Sequence, residues 1–471
     1  MLVIAIILLL LYAALFFHTV NEAISGKFDS ILLYTVFFFP IYALFLTFNY
    51  EVFGSRLMVT IIQYSKEVII FGSFSLWFFG QRNVLKRAWA ISTLDWFFLL
   101  FLVLAFIFFI LGIGEASFTN RAVYLKNILL IGIFYFFGRH VSIEQVAWKR
   151  IMNVIFVTTV LACGLVVLEK TFGFHFHSYV GYVKYNLDFK DLEPTGVYNL
   201  NYTFEAEGGR PRYGSFFSNP LELASSMLIV VATSLVYLLS VRHKSNRYKY
   251  LFILFCGFLC VLLSYSRASF VAFFLMLVLI AFLMKYYKLL GVVFFGAIFI
   301  GLYILFFAED EVRYFVMDTI SFENSSSLTH IVDWLKAVES MISNPMGIGL
   351  GMSGNAGGAD LDIVVGGENQ YLIYGVQMGF LGMLLYIGML FFGIRDAWRA
   401  FRLSKNRQDA VIPFVAASVK FGLLLPLFTA NAEAYIYVSL VSWWLIGNAE
   451  SKYQSLKKVK PVSYRSLELG N

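Results

Sequence analysis

The chain has 471 residues, of which 60% are hydrophobic and only 14% are charged. Ordinary soluble domains are about half apolar and about a quarter charged, so this composition excludes a typical soluble enzyme. The formal net charge of +7 does not indicate a nucleic-acid partner, because the basic residues fall between apolar segments and form no continuous basic face.

Apolar segments of membrane-crossing length recur from one end of the chain to the other. A helix needs roughly 17–25 such residues to cross a bilayer. Segments near this length lie at 1–17, 30–49, 57–80, 93–114, 121–138, 151–168, 219–240, 250–264, 268–284, 289–307, 370–394, 411–430 and 434–449. The first one lacks the charged start and the small-residue cleavage site of a signal peptide. We therefore predict an all-α polytopic membrane protein with about 12–13 transmembrane helices.

The charges between these segments predict how the helices are oriented. Lys and Arg collect in several connections and in the C-terminal tail, at Arg82, Lys86, Arg87, Lys149, Arg150, Arg242, Lys244, Arg247, Lys249, Lys285, Lys288, Arg395, Arg399, Arg402, Lys405, Arg407 and Lys452 to Arg465. By the positive-inside rule these all face the cytoplasm, and alternation then places the other connections outside. An odd number of spans puts the N-terminus outside and an even number puts it inside, and the charges leave both open.

Two of the outer connections are long, and they divide the chain into regions. These regions are N-terminal transmembrane helices (1–168), a first outer loop (169–218), central transmembrane helices (219–307), a large outer loop (308–369), C-terminal transmembrane helices (370–449) and a cytoplasmic tail (450–471). Loops of this length usually carry function. We expect the two loops to form a small lid over the outer ends of the helices.

The large outer loop is acidic and contains one predicted helix. Its charged residues are Glu309, Asp310, Glu311, Asp318, Glu323, Asp333, Glu339, Asp360, Asp362 and Glu368 against Arg313 and Lys336. Apolar residues at helical spacing predict an amphipathic helix over 327–343, which Asn344-Pro345 stops. The glycine-rich segment 347–354 follows no soluble strand, so it is not a dinucleotide-binding fingerprint.

Arginines near the outer face are candidates for binding an anion. Arg210 and Arg212 end the first outer loop, where the positive-inside rule does not call for positive charge, and Arg is suited to bidentate phosphate contacts. Arg267 follows Ser264 in a short turn between two spans, and a charge at the membrane centre costs roughly 2.5–3.5 kcal/mol. The alternatives are pairing with nearby glutamates or lipid headgroups, and a snorkelling Arg267. Arg121 and Lys126, near the outer end of the fifth span, add positive charge to the same mouth.

A carboxylate and a histidine in the large outer loop are candidates for acid–base chemistry. Glu368 and Asn369 precede a long apolar span, and a carboxylate whose pKa is raised by partial burial is suited to act as a general base. The same carboxylate would also complement the positive end of a helix dipole. His330 lies at the start of the predicted amphipathic helix, where a lone histidine is more often a structural hydrogen-bonding residue.

The residues with metal-ligating side chains form no recognisable metal site. His175 and His177 make a His-x-His pair without an evident third ligand. Asp360-Leu-Asp362 is too short a motif to be specific. The cysteines lie in apolar segments and show neither zinc spacing nor a disulfide framework: Cys163, Cys256 and Cys260. The sequence therefore predicts no metal and no cofactor.

The predicted topology brings the candidate residues to one side of the membrane. Arg212, Arg267, His330 and Glu368 lie far apart in the sequence, but the charge pattern places all four at the outer face. Arginines with one carboxylate suit group transfer from a lipid-linked diphosphate. The arginines would stabilise the charge that develops on the leaving diphosphate, and the carboxylate would accept a proton from the attacking hydroxyl.

Several motifs resemble those of the bacterial O-antigen ligase and polysaccharide polymerase superfamily. Arg212-Tyr-Gly-Ser-Phe-Phe-Ser-Asn-Pro-Leu-Glu-Leu-Ala resembles its arginine–glycine–asparagine–proline motif, and Ser264-Tyr-Ser-Arg-Ala resembles its Ser-x-Ser-Arg-small motif. Asn344-Pro-Met-Gly-Ile-Gly-Leu-Gly, Glu368-Asn-Gln-Tyr-Leu and Gly379-Phe-Leu-Gly resemble its large loop and the following span. The similarity covers about 200–394, with the motifs in the family's order.

The resemblance implies a metal-independent glycosyltransferase of the integral-membrane C type in the bacterial inner membrane, with its active site facing the periplasm. Such enzymes move glycans from undecaprenyl diphosphate to an acceptor, and direct displacement would invert the sugar carbon. A flippase and a chain-length regulator of the same pathway are the implied protein partners. Carried over from the family motifs, Arg212 and Arg267 would hold the diphosphate. We add Arg210 to them because of its position at the outer mouth, and we expect further substrate contacts from Asn219, Asn369 and Arg121.

Two departures from the family pattern bear on the function. Ligases usually have a histidine before the asparagine, where this chain has Glu368, and the loop helix often begins with an arginine, where this chain has His330. The first departure favours a polymerase of polysaccharide repeat units, with Glu368 or His330 as the base. An O-antigen ligase acting on lipid A core or protein is the alternative. A transporter of lipid-linked oligosaccharides or small molecules is a second one, but the inverted repeats and interrupted helices typical of transporters are not evident.

Overall fold

The computed structural model describes residues 1–80, 91–190, 193–206, 209–240, 244–307, 313, 325–354 and 365–458. Several predicted features lie outside these residues. They are the basic residues Arg82, Lys86, Arg87 and Arg242, the acidic residues Glu309, Asp310, Glu311, Asp318, Glu323, Asp360 and Asp362, and the tail after Lys458.

The described residues form a bundle of helices with a single two-stranded sheet. The helices are α1 (Leu2–Ile24), α2 (Asp29–Phe38), α3 (Tyr42–Phe53), α4 (Arg56–Gly80), α5 (Thr93–Leu111), α6 (Phe118–His140), α7 (Gln145–Phe172), α8 (Tyr182–Lys190), α9 (Pro220–Ser240), α10 (Lys244–Leu263), α11 (Arg267–Leu283), α12 (Tyr287–Phe306), α13 (Ser325–Ser343), α14 (Gln370–Leu403), α15 (Arg407–Thr429) and α16 (Ile436–Lys458). The strands β1 (Glu205–Ala206) and β2 (Arg210–Pro211) pair antiparallel.

The prediction of an all-α polytopic membrane protein is confirmed. Among the described residues, ten helices are long and apolar enough to cross a membrane, and the shorter apolar helices α11 and α12 bring the number to twelve. One of the ten, Asp29–Phe53, is built from α2, a 3-10 turn containing Pro40, and α3. The last predicted span, 434–449, corresponds to α16, whose second half contains Glu450 and Lys452 and is therefore less apolar.

Aromatic packing and glycines hold the centre of the bundle together. The rings of Phe98 on α5 and Tyr135 on α6 stack at 3.7 Å between centroids. A Cβ atom on Gly138 of α6 would lie 2.0 Å from the backbone oxygen of Trp444, and one on Gly447 of α16 would lie 2.1 Å from that of Tyr135. Small residues let membrane helices approach closely, so these glycines allow α6 and α16 to pack backbone against backbone.

Helix α14 is broken, where the sequence predicts one uninterrupted span. Met378 and Gly379 leave the helical conformation, and Gly379 has φ 71° and ψ −176°. The carbonyl oxygens of Val376 and Gln377 accept hydrogen bonds from the backbone N–H groups of Ile348 (2.9 Å) and Gly349 (3.0 Å). The glycine-rich segment 347–354 is therefore docked into the break and satisfies backbone groups that a broken membrane helix would otherwise leave unpaired.

The predicted amphipathic helix is confirmed as α13, which ends at Ser343, just before Asn344-Pro345. Ala337 and Met341 of this helix pack against Val376 of α14. Its remaining apolar surface is less covered, since Leu335 is 63% exposed. The helix is therefore attached to the bundle at the level of the α14 break.

The first long loop has its own small core. The buried side chains in it are Tyr182, Leu200 and Phe204, with His175 and His177 packed edge-on against the Phe204 ring. Phe217, at the end of the loop, contacts the Tyr437 ring of α16 at 5.9 Å. We call this side of the bundle, where segments 173–219 and 430–435 meet, the loop end.

Candidate functional site

Arg212 is held at the loop end by backbone hydrogen bonds on both sides. Its own N–H donates to the carbonyl of Phe204 at 2.8 Å, and the N–H of Tyr213 donates to the carbonyl of Leu263 at 3.3 Å. The second bond joins the Arg212 motif to the end of α10, directly beside Ser264. Two motifs that lie some fifty residues apart in sequence are therefore adjacent in space.

Both motif turns contain a residue in a left-handed backbone conformation. Ser215 has φ 54° and Tyr265 has φ 48°, and neither is a glycine. Such conformations cost free energy for ordinary residues and occur often at functional sites. The Ser215 turn is fixed by Glu169 at the end of α7, whose carboxylate accepts hydrogen bonds from the N–H groups of Ser215 (3.0 Å) and Phe176 (2.9 Å). Sequence reasoning missed Glu169, since it lies at the end of an apolar span.

The Arg212 side chain lies close to the other predicted site residues. Burial, followed by the neighbouring charge of Arg267, lowers the pKa of Arg212 to about 10, while the charge of Glu368 acts in the opposite direction. Arg212 therefore stays protonated at neutral pH. Its Nε atom is buried and makes no hydrogen bond to the described residues. Two arginines so close together favour an anion between them.

Arg267 is the first residue of α11. The Ser266 hydroxyl caps this helix by accepting a hydrogen bond from the Ser269 N–H. A helix N-terminus carries partial positive charge and unpaired N–H groups, which suit an anion. The positive charge of the Arg267 guanidinium and the partial positive charge of the helix N-terminus therefore both favour an anion at this point.

Glu368 lies among charges of both signs. Burial raises its pKa, the charges of His330 and Arg212 lower it, and Asp333 raises it again. Since these charges act on Glu368, the side chains of His330, Arg212 and Asp333 lie close to it. Arg267 in turn lies close to Arg212. The structure thus brings Arg212, Arg267, His330 and Glu368 into one cluster at the loop end, as the sequence predicts.

His330 belongs to a row of rings that leads away from Glu368. It stacks on Trp334 one turn further along α13, at 6.3 Å between centroids. Trp334 contacts Phe428 of α15 at 4.7 Å. This row attaches the loop helix to the membrane helices beside Glu368.

The two predicted asparagines both start helices. The Asn369 side-chain oxygen accepts hydrogen bonds from the N–H groups of Tyr371 (3.0 Å) and Leu372 (3.2 Å), which makes it the N-cap of α14. The Asn219 side-chain oxygen accepts from the N–H of Glu222 at 2.9 Å at the start of α9. Both side-chain oxygens are therefore engaged in capping. Any contact of these two asparagines with a substrate would come from their amide N–H groups.

Three other predicted cations contact residues outside this cluster. The Arg121 guanidinium lies against Gly112 at the end of α5, and its backbone lies near Gly351 of the glycine-rich segment. Arg210 lies in the hairpin opposite Ala206. Lys126, whose charge the sequence assigns to the same mouth, instead pairs with Glu67 at 3.1 Å.

An apolar groove of about 850 Å³ runs along α14 and α15 from the site. Asn369 and Trp334 line one end and Arg395 lines the other. Asn369 precedes the first residue of α14 and Arg395 lies in its last third, so the groove extends along most of this helix. Asn369 directly follows Glu368 and Trp334 contacts His330, so this end of the groove is next to the charged cluster.

A buried ion pair between α15 and the turn after it was not predicted. Lys420 Nζ lies 3.5 Å from Glu433 Oε1, and the two side chains are 1% and 4% exposed. The sequence gives no signal for the pair, because the basic residue lies in an apolar span and the acidic residue in a short turn.

The other candidate ligands are buried in apolar surroundings. His175 and His177 pack among aromatic rings, and burial lowers their pKa values to about 4 and about 3. The cysteines are free and buried: Cys163, Cys256 and Cys260. Within the described parts of the chain, no group of three or more His, Cys, Asp or Glu side chains is arranged to hold a metal ion.

Comparison with known proteins gives one family match, over part of the chain. Residues 251–387 match the family model described as O-Antigen ligase, and no curated protein matches the chain. The matched segment includes Arg267, His330 and Glu368, whereas Arg212 precedes it. Together with the ordered motifs and the membrane helices around this cluster, the match supports membership of the O-antigen ligase and polysaccharide polymerase superfamily.

Proposed function

We propose that this protein polymerises polysaccharide repeat units by transferring a glycan from an undecaprenyl-diphosphate-linked donor to a lipid-linked acceptor at the periplasmic face of the inner membrane. The observation that carries the proposal is the cluster of Arg212, Arg267, His330 and Glu368 beside one end of an apolar groove. Cations suit a diphosphate, and the groove suits its hydrocarbon chain.

The proposed reaction is one displacement at the anomeric carbon of the donor. An acceptor hydroxyl attacks this carbon, the bond to the diphosphate oxygen breaks, and undecaprenyl diphosphate leaves with the bonding electrons. Arg212 and Arg267 stabilise the charge that develops on the diphosphate. Glu368 accepts the hydroxyl proton, and its raised pKa makes it a better base than an exposed carboxylate. His330 is the alternative base.

The choice between polymerase and ligase rests on the residue before Asn369. The family model is described as a ligase, and this supports transfer to lipid A core or protein as the second candidate. Glu368 stands where such ligases usually have a histidine, and this favours the polymerase. A strain that lacks this gene would distinguish the two: surface glycan would retain single repeats if a polymerase is lost, and no repeats if a ligase is lost.

The break in α14 is a feature that transporters also use, because unwound helices expose backbone groups to a transported ligand. In this protein the freed carbonyls of Val376 and Gln377 are already bonded to the glycine-rich segment. That arrangement favours a fixed scaffold for transfer over a transport site. Glycolipid movement in vesicles without any glycosyl transfer would support the transporter instead.

Arg267→Ala tests the diphosphate site. We expect loss of polymer by at least about 100-fold, because one group that stabilises developing charge is removed, while the protein remains in the membrane. The readout is polymer length on a gel together with protein abundance in the membrane fraction. Arg402→Ala, which changes an exposed arginine near the other end of α14, is the matched control. Unchanged polymer in Arg267→Ala would show that the site is assigned wrongly.

A further inference from the structure

The buried pair of Lys420 and Glu433 lies beside the proposed site and has no part in the displacement described above. The Glu433 carboxylate receives several donors in addition to Lys420. The Tyr386 hydroxyl of α14 donates to it at 2.6 Å, and the Trp443 indole N–H of α16 at 3.1 Å. The Ser439 hydroxyl donates to the second oxygen. One carboxylate thus joins α14, α15 and α16.

The lysine is fixed as firmly as the carboxylate. Its Nζ atom lies 3.6 Å from the centroid of the Trp443 ring, which adds a cation–π contact to the ion pair. A buried ion pair is weak evidence for stability, because its desolvation cost often equals or exceeds the gain from the attraction. Such a pair is better explained by a need for defined geometry than by a need for a stable fold.

The Lys420–Glu433 pair is connected to the segment that contains Glu368. The backbone N–H of Glu433 donates to the side-chain oxygen of Gln370 at 3.3 Å. Gln370 is two residues after Glu368, and the Tyr371 hydroxyl next to it donates to the backbone oxygen of Leu424 on α15 at 3.0 Å. Glu368 is therefore attached to a short stretch of chain that two bonds fasten to α15 and its following turn.

The same turn approaches the cluster from its other end. Tyr435 lies two residues after Glu433, and its pKa is raised by burial and by the charges of Glu368 and Glu222. The Asn431 amide lies 3.3 Å from where a Cβ on Gly354 would be. The turn 430–435 is thus in contact with the glycine-rich segment and close to Glu368 at once.

We propose that the Lys420–Glu433 pair is a positioning element, which acts through the hydrogen bond to Gln370 to hold Glu368 at its working distance from Arg212 and the substrate. This proposal rests on the proposed function of Glu368 as the base. The contacts of this pair are with protein groups of α14 and α16 and with Gln370, so we expect its effect to be on turnover and not on donor binding.

The test replaces both charges together, because removing one would leave a lone buried charge that destabilises the fold. Lys420→Met/Glu433→Gln should remain folded and keep its thermal midpoint. We expect its kcat to fall by roughly 10- to 100-fold, since a misplacement of about 1 Å costs up to that much. KM for the donor and the Kd of undecaprenyl diphosphate should stay within about threefold, because the arginines are untouched.

Gln370→Ala removes the link without removing a buried charge, and it serves as the second variant if the double variant does not fold. We expect the same loss of kcat, and no further loss when Gln370→Ala is added to the double variant, because both changes interrupt one path. Independent, multiplying effects would contradict the proposal. Lys66→Met/Glu67→Gln removes a partly buried pair on α4, in which the charged atoms lie 3.1 Å apart and each side chain is 12% exposed, and as the control it should leave kcat unchanged.

The assay uses full-length protein in lipid nanodiscs and the lipid-linked glycan of the source organism. If the wild-type protein transfers no glycan, the proposed function fails, and the positioning role fails with it. If the wild type is active and the folded double variant has the same kcat, only the positioning role is wrong. A double variant with normal kcat and raised KM would likewise overturn it.

Discussion

At the scale of single residues, the balance of charges around Glu368 is the feature that most affects the proposed chemistry. His330 and Asp333 lie one turn apart on α13 and act on the Glu368 pKa in opposite directions, His330 lowering it and Asp333 raising it. A base must be ionised to accept a proton. Transfer should therefore fall as the pH drops through the Glu368 pKa, which burial places above the ordinary value for glutamate.

His330→Ala and Asp333→Asn should move this acidic limb in opposite directions. Loss of the His330 charge leaves the Glu368 pKa higher, so the limb moves to higher pH. Loss of the Asp333 charge leaves the pKa lower, so the limb moves to lower pH. The measurement is kcat/KM against pH for wild type and both variants, and shifts in the same direction would contradict the electrostatic account.

Glu368→Gln should reduce transfer by roughly 10²- to 10⁴-fold, the usual contribution of a general base. The residual activity should lack the acidic limb, because Gln does not ionise. Binding of undecaprenyl diphosphate should persist, since Arg212 and Arg267 are unchanged. If His330→Ala abolishes transfer and Glu368→Gln retains the limb, the histidine is the base and the two roles are exchanged.

At the scale of secondary-structure elements, the broken helix α14 positions the loop relative to the membrane bundle. Gly379 allows the break because its positive φ is strained for any residue with a side chain. A Cβ atom at this position would also lie 2.4 Å from the backbone oxygen of Pro345. The strain and the clash both prevent another residue from holding the glycine-rich segment in the break.

Gly379→Ala should therefore destabilise the protein and detach the 345–349 backbone from α14. The strained backbone alone costs on the order of 1–3 kcal/mol, which should lower the thermal midpoint of the detergent-solubilised protein. Gly164→Ala is the matched control, because a Cβ there meets nothing within 4 Å and Gly164 is inside helix α7. An unchanged midpoint in Gly379→Ala would show that the break does not depend on glycine.

At the scale of the whole molecule, the orientation of the bundle decides which compartment the cluster faces. The basic connections collect at one end of the helices and the Arg212 cluster lies at the other, and by the positive-inside rule this favours a periplasmic site. The turn at Ala434 and the connection at Lys405 are both exposed and lie at the two ends of α15, so they are suitable positions to test it.

Cysteine labelling should report this orientation. With Cys163, Cys256 and Cys260 replaced by Ala, a membrane-impermeant maleimide should label Ala434→Cys in intact spheroplasts. Lys405→Cys should react only after permeabilisation. The opposite pattern would place the cluster in the cytoplasm and would contradict the proposed donor, which is presented on the outer face.

The sequence by itself determined the membrane helices, and it singled out the residues that we propose for the site. Long apolar segments have few stable alternatives to helices in a bilayer, because every backbone group must be paired. The charge pattern then grouped Arg212, Arg267, His330 and Glu368 on one side. Both inferences depend on composition and order along the chain, and these are visible without coordinates.

Only the tertiary structure decided which polar groups meet inside the bundle. The break in α14, the Glu169 anchor of the Ser215 turn and the Lys420–Glu433 pair each join segments that are distant in sequence, through side chains or backbone groups with no local signal. The structure also pairs Lys126 with Glu67, a contact that the sequence does not predict. The packing of the helices against one another sets these contacts. Hydropathy and the order of charges along the chain do not show which side chains face each other in the packed bundle.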